Sequence, residues 1–336
     1  MLSQLIGAAF SQPLVSLVLA LPVAIAILIV ASRPRAVVVL ALGADRSVRG
    51  RYGPEHRMLT FTALAVIVVF LGEGLLRGYV WQMPGVIAWW RFTTALAVAL
   101  IGLGILLFLV AGRGSTWSDV PVLPVARRTW TTFGPRGGIV AAGVVLAALL
   151  VTTIAAGAAS SRDSSGRFVQ LEIPIANEPG IDPIRYGFYG WDYGVPVLVC
   201  ALALAAVAWS VLRANAARPY LRPETVDAEG AERRRIASGA VRIAAAALLL
   251  SLAGAWRLIA GAGSVSSLTI IDQGSYEVAW RAAQLAVMAG WAAPVLEIAA
   301  FTLLLVVAIR MPQATASDIS ASGASADPAA RAEATR

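Results

Sequence analysis

Hydrophobic residues along this chain gather into seven long runs, near 12–31, 59–79, 88–112, 138–160, 194–212, 237–261 and 282–309. Each is long enough to cross a bilayer as a helix, which takes about 20 predominantly apolar residues. Inside the hydrocarbon every backbone polar group must be satisfied within its own segment, so the runs predict helices and not open strands. Residues 1–311 therefore read as one polytopic domain, an all-α bundle of seven transmembrane helices. Past about residue 312 the chain turns to Ala, Ser, Asp and Thr without aromatic residues, and 312–336 is expected to be a disordered tail.

The polar connections set an expected orientation. Those after runs one, three and five carry sixteen of the 27 basic residues, among them Arg51, Arg57, Arg136, Arg213, Arg218, Arg233 and Arg235. By the positive-inside rule these connections are cytoplasmic, which puts the N-terminus outside and the C-terminus inside. Residues 36–43 are too short to span and either extend the first helix or lie on the membrane surface. Segment 213–235 mixes both charge signs and reads as a solvated cytoplasmic loop. Arg242, just inside the sixth run, reads as an interface anchor. Segment 113–136, with Trp117, Trp130 and three prolines, reads as an ordered interfacial stretch.

The longest outer connection, 161–193, has its own pattern. Val169, Leu171, Ile173 and Ile175 alternate with polar residues and Pro174, the period of a half-buried strand. Leu268–Ile271 in the last outer connection offers a second strand. The two are expected to pair into a short β-element, with Pro174 keeping the first at an edge. A glycine-spaced aromatic cluster follows: Tyr186, Phe188, Tyr189, Trp191 and Tyr193, with Asp192 among them. Trp81, Trp89, Trp90, Trp256 and Trp280 fall at outer helix ends, as an aromatic belt would place them. A belt requires neither the glycines nor the aspartate, so the cluster reads as a cap over the bundle.

Composition agrees with a membrane protein: 58% hydrophobic residues, 14% charged and a mean hydropathy of +0.75. The net charge of +8 comes from arginine alone, since lysine is absent, which points to a GC-rich bacterial genome and not to nucleic acid. One cysteine, Cys200, excludes an intramolecular disulfide. The sole histidine, His56, excludes paired-histidine haem ligation and an H-E-x-x-H zinc site. A Walker A motif is missing, and a rhodopsin-type Schiff base has no lysine to form on. No cofactor and no metal site is expected.

What remains is a set of ionisable groups near the spans. Glu297 lies midway through the seventh run, on one face with Ala286, Gly290 and Ala293, so it should face protein. As an isolated buried acid beside Pro294 it is either a structural hydrogen-bonding group or a proton or cation site. Glu73 and Arg77 stand four apart and can pair along one helix. Arg91, Arg257 and Arg281 fall near the outer boundary, where they either snorkel to lipid phosphates or line an outer pocket for an anion or an acidic headgroup. The functional expectation is a transport-associated, permease-like component of the cell membrane, partnered by the lipid bilayer and by an ATPase or other membrane subunits. The alternatives are a non-catalytic accessory or assembly subunit and, least favoured, a lipid-modifying enzyme using Glu73 or Glu297.

Overall fold

The computed structural model describes residues 12–32, 42–76, 87–113, 129–175, 182–220, 222–265, 267–270, 274–277 and 280–324. Among them are seven helices long and apolar enough to cross a membrane. These are α1 (Pro13–Ser32), α2 (Leu42–Leu75), α3 (Thr94–Arg113), α4 (Arg136–Ala159), α5 (Trp191–Ala217), α6 (Val226–Gly263) and α7 (Ala283–Ala324). The chain is a multi-pass membrane protein with an all-α bundle. α7 carries helix past Arg310 into the stretch expected to be disordered from residue 312.

α6 is the central element, the most buried of the seven helices, and it packs against α2, α3, α4, α5 and α7. Its run of alanines explains that position, because small side chains let neighbouring backbones approach in a medium that gives no hydrophobic drive between helices. The α6–α7 seam is the most extensive. A methyl added at Gly263 would lie 2.5 Å from the Ala286 Cβ, and one at Gly290 would lie 2.8 Å from the Ala260 Cβ. Ala286, Ala293 and Glu297 are all buried, as the small-residue face predicts. α1 is peripheral. It packs along α7 through Ser16, Ala20 and Ala24, spaced four apart and fully buried, while Val18, Ile25 and Ile29 face outward. Phe61, Phe108, Leu285, Met288 and Trp291 are likewise exposed apolar groups on the bundle's outer surface, the composition expected where lipid is the solvent.

At one end of the bundle lie five short strands: β1 (Ser161–Arg162), β2 (Phe168–Ile173), β3 (Ile184–Gly187), β4 (Ser267–Ile270) and β5 (Gly274–Glu277). β2 is the centre of an antiparallel sheet in the order β1-β2-β3, and β4 pairs with β5. The expected pairing of 169–175 with 268–271 is therefore incorrect, and so is the edge position. Pro174 lies just beyond the last β2–β3 pair, Ile173 with Ile184, where it interrupts no ladder bond. Each strand finds a partner within its own connection because closing a short loop costs less chain entropy than closing a long one. The alternation itself holds, with Leu171, Ile173 and Ile175 buried and Glu172 exposed.

The opposite, arginine-rich end corrects a second expectation. Segment 213–235 is not a solvated loop. α5 runs to Ala217, a 3₁₀ turn covers Pro223–Thr225 and α6 begins at Val226. Arg218, Glu229, Glu232 and Arg233 are buried there, facing Tyr52, Glu55 and His56 from the extended start of α2. Residues 33–41 and 114–128 lie outside the described residues, and with them the readings of 36–43 and of most of 113–136.

Candidate functional site

The deepest acid of the sequence sits in an ion pair. Glu297 accepts from Arg257 Nε at 2.6 Å on Oε1 and from Arg257 Nη2 at 2.8 Å on Oε2. Ser16 Oγ donates to Oε2 at 2.7 Å. Three helices meet in this contact: α1 supplies the hydroxyl, α6 the guanidinium and α7 the carboxylate. The side chain of Glu297 is 2% exposed and that of Arg257 21%. Glu297 is therefore not an isolated acid, and Arg257 does not snorkel: it turns inward to a two-point carboxylate bond, the strongest geometry available to the pair.

The pair forms one wall of a small cavity of about 50 Å³, lined by Pro13, Phe70, Arg91, Phe92, Ala95, Leu250, Ser251, Gly254, Arg257 and Glu297. Its ionisable lining is two guanidiniums and one carboxylate, set in an otherwise largely apolar surface. Of the three outer arginines, the fold brings Arg91 and Arg257 to this cavity. Arg281 is exposed in the turn before α7 and is not in the lining. Arg91 belongs to a 3₁₀ turn, Trp89–Phe92, whose two tryptophans are exposed. Glu73 is half-buried on α2, one turn beyond Phe70. Arg77 and Trp81 lie outside the described residues.

Phe92 joins the cavity to the aromatic cap. Its carbonyl accepts from Ser251 Oγ at 2.9 Å. Its ring meets Tyr189 edge-on at 5.1 Å and Tyr193 at 5.3 Å, and those two tyrosines stack at 6.4 Å. Phe188 packs edge-on against Trp280 at 5.7 Å. Trp191 lies so close to α4 that a methyl at Gly157 would come within 2.6 Å of the indole. Tyr186 stays half-exposed beside Gly261. Burial pushes the Tyr189 phenol up to about 12, against a weaker opposing hydrogen bond with Thr153.

Gly190 and Asp192 have the structural use that the glycine-spaced pattern called for. A Cβ at Gly190 would sit 2.0 Å from the Phe168 carbonyl oxygen, so only glycine lets β2 cross the start of α5 there. The Asp192 carboxylate accepts from the Phe168 backbone N–H, tying the sheet to the first turn of α5. That also places an acid at a helix N-terminus, where the helix dipole favours it.

A second polar cluster fills the arginine-rich end. Arg233 is fully buried and donates to the carbonyls of Arg218 at 2.7 Å and Pro219 at 2.8 Å, to Tyr52 Oη at 3.2 Å and to Glu229 Oε2 at 3.3 Å. Its guanidinium stacks 4.4 Å from the Tyr220 ring. Arg218 bonds Glu55 at 2.8 Å and the Val110 carbonyl at 3.1 Å, closing the C-terminal turn of α3. His56 Nε2 and Glu232 Oε2 are 2.7 Å apart, and Arg235 donates to the other Glu232 oxygen at 2.6 Å. This cluster binds α2, α3, α5 and α6 together. Most of its side chains bond one another, which makes it a structural joint between these helices, although Glu55 Oε2 and Asn215 Oδ1 are buried without a hydrogen-bond partner among the described residues. Among the described residues no group of three or more His, Cys, Asp or Glu side chains is placed to hold a metal ion.

No family model, curated protein or solved structure matches this chain. The class defined by fold and site is a multi-pass helical membrane protein with a charged cavity inside the bundle.

Proposed function

We propose that the chain is a permease-like, transport-associated protein of a bacterial cytoplasmic membrane, and that the cavity beside Arg257 and Glu297 holds an anionic ligand. The observation that carries this reading is the two-point Arg257–Glu297 bond on the wall of a cavity that also holds Arg91. Buried charges in a membrane bundle are costly, and they are kept where a pathway or ligand site uses them. A ligand oxyanion matches the same guanidinium geometry that Glu297 now occupies. The arginine excess favours placing the arginine-rich end in the cytoplasm and the strands outside. An enzymatic reading is weaker, because the one carboxylate in the cavity lining is already held by three hydrogen bonds.

Proteoliposomes test the reading in two ways: charge movement evoked by phosphate and short carboxylates, and transbilayer movement of NBD-labelled phosphatidylglycerol. At least one rate should exceed that of protein-free vesicles and fall about tenfold in Arg91→Gln, the loss expected for one charge-assisted hydrogen bond. If folded protein accelerates neither, the transport reading is rejected.

A further inference from the structure

Resting on that reading, we infer that the ligand of the cavity is an oxyanion borne on an acyl chain, a lipid-class amphiphile that enters sideways from the bilayer past α1. Three features converge on it. The lining is divided by polarity. Arg91, Arg257 and Glu297 supply charge, while Pro13, Phe70 and Leu250 supply apolar wall. The Ser251 hydroxyl in the lining is committed to the Phe92 carbonyl. A small soluble anion would have to give up its water against those apolar walls, whereas an anionic head carrying a chain matches both parts of the lining.

The second feature is position. Arg91 follows Trp89 and Trp90, which are 56% and 44% exposed. Paired outward tryptophans at a helix end mark the headgroup level of a bilayer. A guanidinium at that level meets lipid phosphates before it meets solutes from bulk water. The third feature is α1. This helix contributes Pro13 to the lining and Ser16 to Glu297, yet its packing partner in the bundle is α7, and most of its surface faces outward. It is a wall held at one side, so a small displacement opens the cavity to lipid without disturbing the α6–α7 seam.

Native mass spectrometry of the delipidated full-length chain in detergent separates the two sources of the oxyanion. The chain is titrated with phosphatidylglycerol and with phosphatidylcholine of identical acyl chains, and phosphate binding is measured in parallel by equilibrium dialysis. One phosphatidylglycerol adduct should form at a concentration about tenfold below that for phosphatidylcholine. Arg91→Gln should erase the preference, with folding of the variant checked independently by circular dichroism and by elution as a single species. Equal binding of the two lipids, or a preference that survives Arg91→Gln, overturns the inference. Phosphate bound in an Arg91-dependent way without lipid preference identifies a soluble anion, which overturns the inference and leaves the transport reading standing. Binding of neither overturns both.

Discussion

Replacing Arg233 by methionine tests whether the arginine-rich end is a structural joint. The substitution keeps an unbranched side chain of comparable length but removes the donors that reach the Arg218 and Pro219 carbonyls, Tyr52 and Glu229. Breaking a buried ion pair from one side costs about 3–5 kcal/mol, because the surviving charge stays buried. Glu229 is fully buried but keeps hydrogen bonds from Thr225 at 3.0 Å and Tyr52 at 3.2 Å, with Arg51 at 3.8 Å. The expected cost of Arg233→Met is therefore at the lower end, about 3 kcal/mol. Glu229→Gln leaves Arg233 with its two carbonyls and the tyrosine, so it should cost less, about 1–2 kcal/mol. Combining the two changes should give less than the sum, since both remove one bond. Reversible SDS unfolding in mixed micelles, followed by tryptophan fluorescence, measures all three. A loss below about 1 kcal/mol for Arg233→Met would equate this cluster with an exposed salt bridge and refute the assignment.

Gly190→Ala forces a methyl to within 2.0 Å of the Phe168 carbonyl oxygen; it should cost about 1–3 kcal/mol and speed trypsin cleavage after Arg167 and Arg185 in membranes relative to wild-type protein. Asp163 is held below the usual carboxylate range, chiefly by the Arg167 backbone N–H, then by the Arg167 side chain and the Ser165 N–H. Its folded value is depressed, so its stabilisation of the β1–β2 turn is present above the unfolded value of about 3.9 and lost as pH falls through the folded one. Exchange of the Ser165 and Arg167 amides should therefore be protected at pH 5–7, beyond the intrinsic pH dependence, and should lose that protection on acidification; Asp163→Asn should abolish the effect. In a Cys200→Ser background, a cysteine at Ser165 should react with an impermeant maleimide in intact cells and one at Asp227 only after permeabilisation; the reverse pattern would invert the proposed orientation.

The spans were readable because a bilayer leaves the backbone no alternative to internal hydrogen bonds, so hydropathy alone locates them. Their charged extensions were not. α2 and α6 continue well beyond their apolar runs, and a chain such as Arg233-Arg234-Arg235 looks solvated until its partners Tyr52, Glu229 and the Arg218 carbonyl are known. Glu229 and Arg218 lie within 213–235 itself, but Tyr52 is 181 residues away, and nothing in the segment announces that α2 packs over it. Glu297 was legible as protein-facing from Ala286, Gly290 and Ala293. Its partner required the α6–α7 register, set by Gly263 against Ala286 and Gly290 against Ala260, which brings Arg257 within reach. Ser16 was hidden for a different reason: a serine in an apolar run reveals its face only when Ala20 and Ala24 are recognised as one buried stripe with it. The aromatic cap was the most legible part of the site, because glycine spacing and Asp192 have no use in a lipid-facing belt.

An experimental density map of the full chain in phosphatidylglycerol nanodiscs, with an antibody fragment bound for alignment, examines the cavity itself. The account predicts a phosphate-sized feature between Arg91 and Arg257, its chain running past Pro13 into the bilayer, and absent from Arg91→Gln protein in the same lipid. A cavity filled by the protein's own side chains, or empty of lipid in wild-type protein, would contradict it.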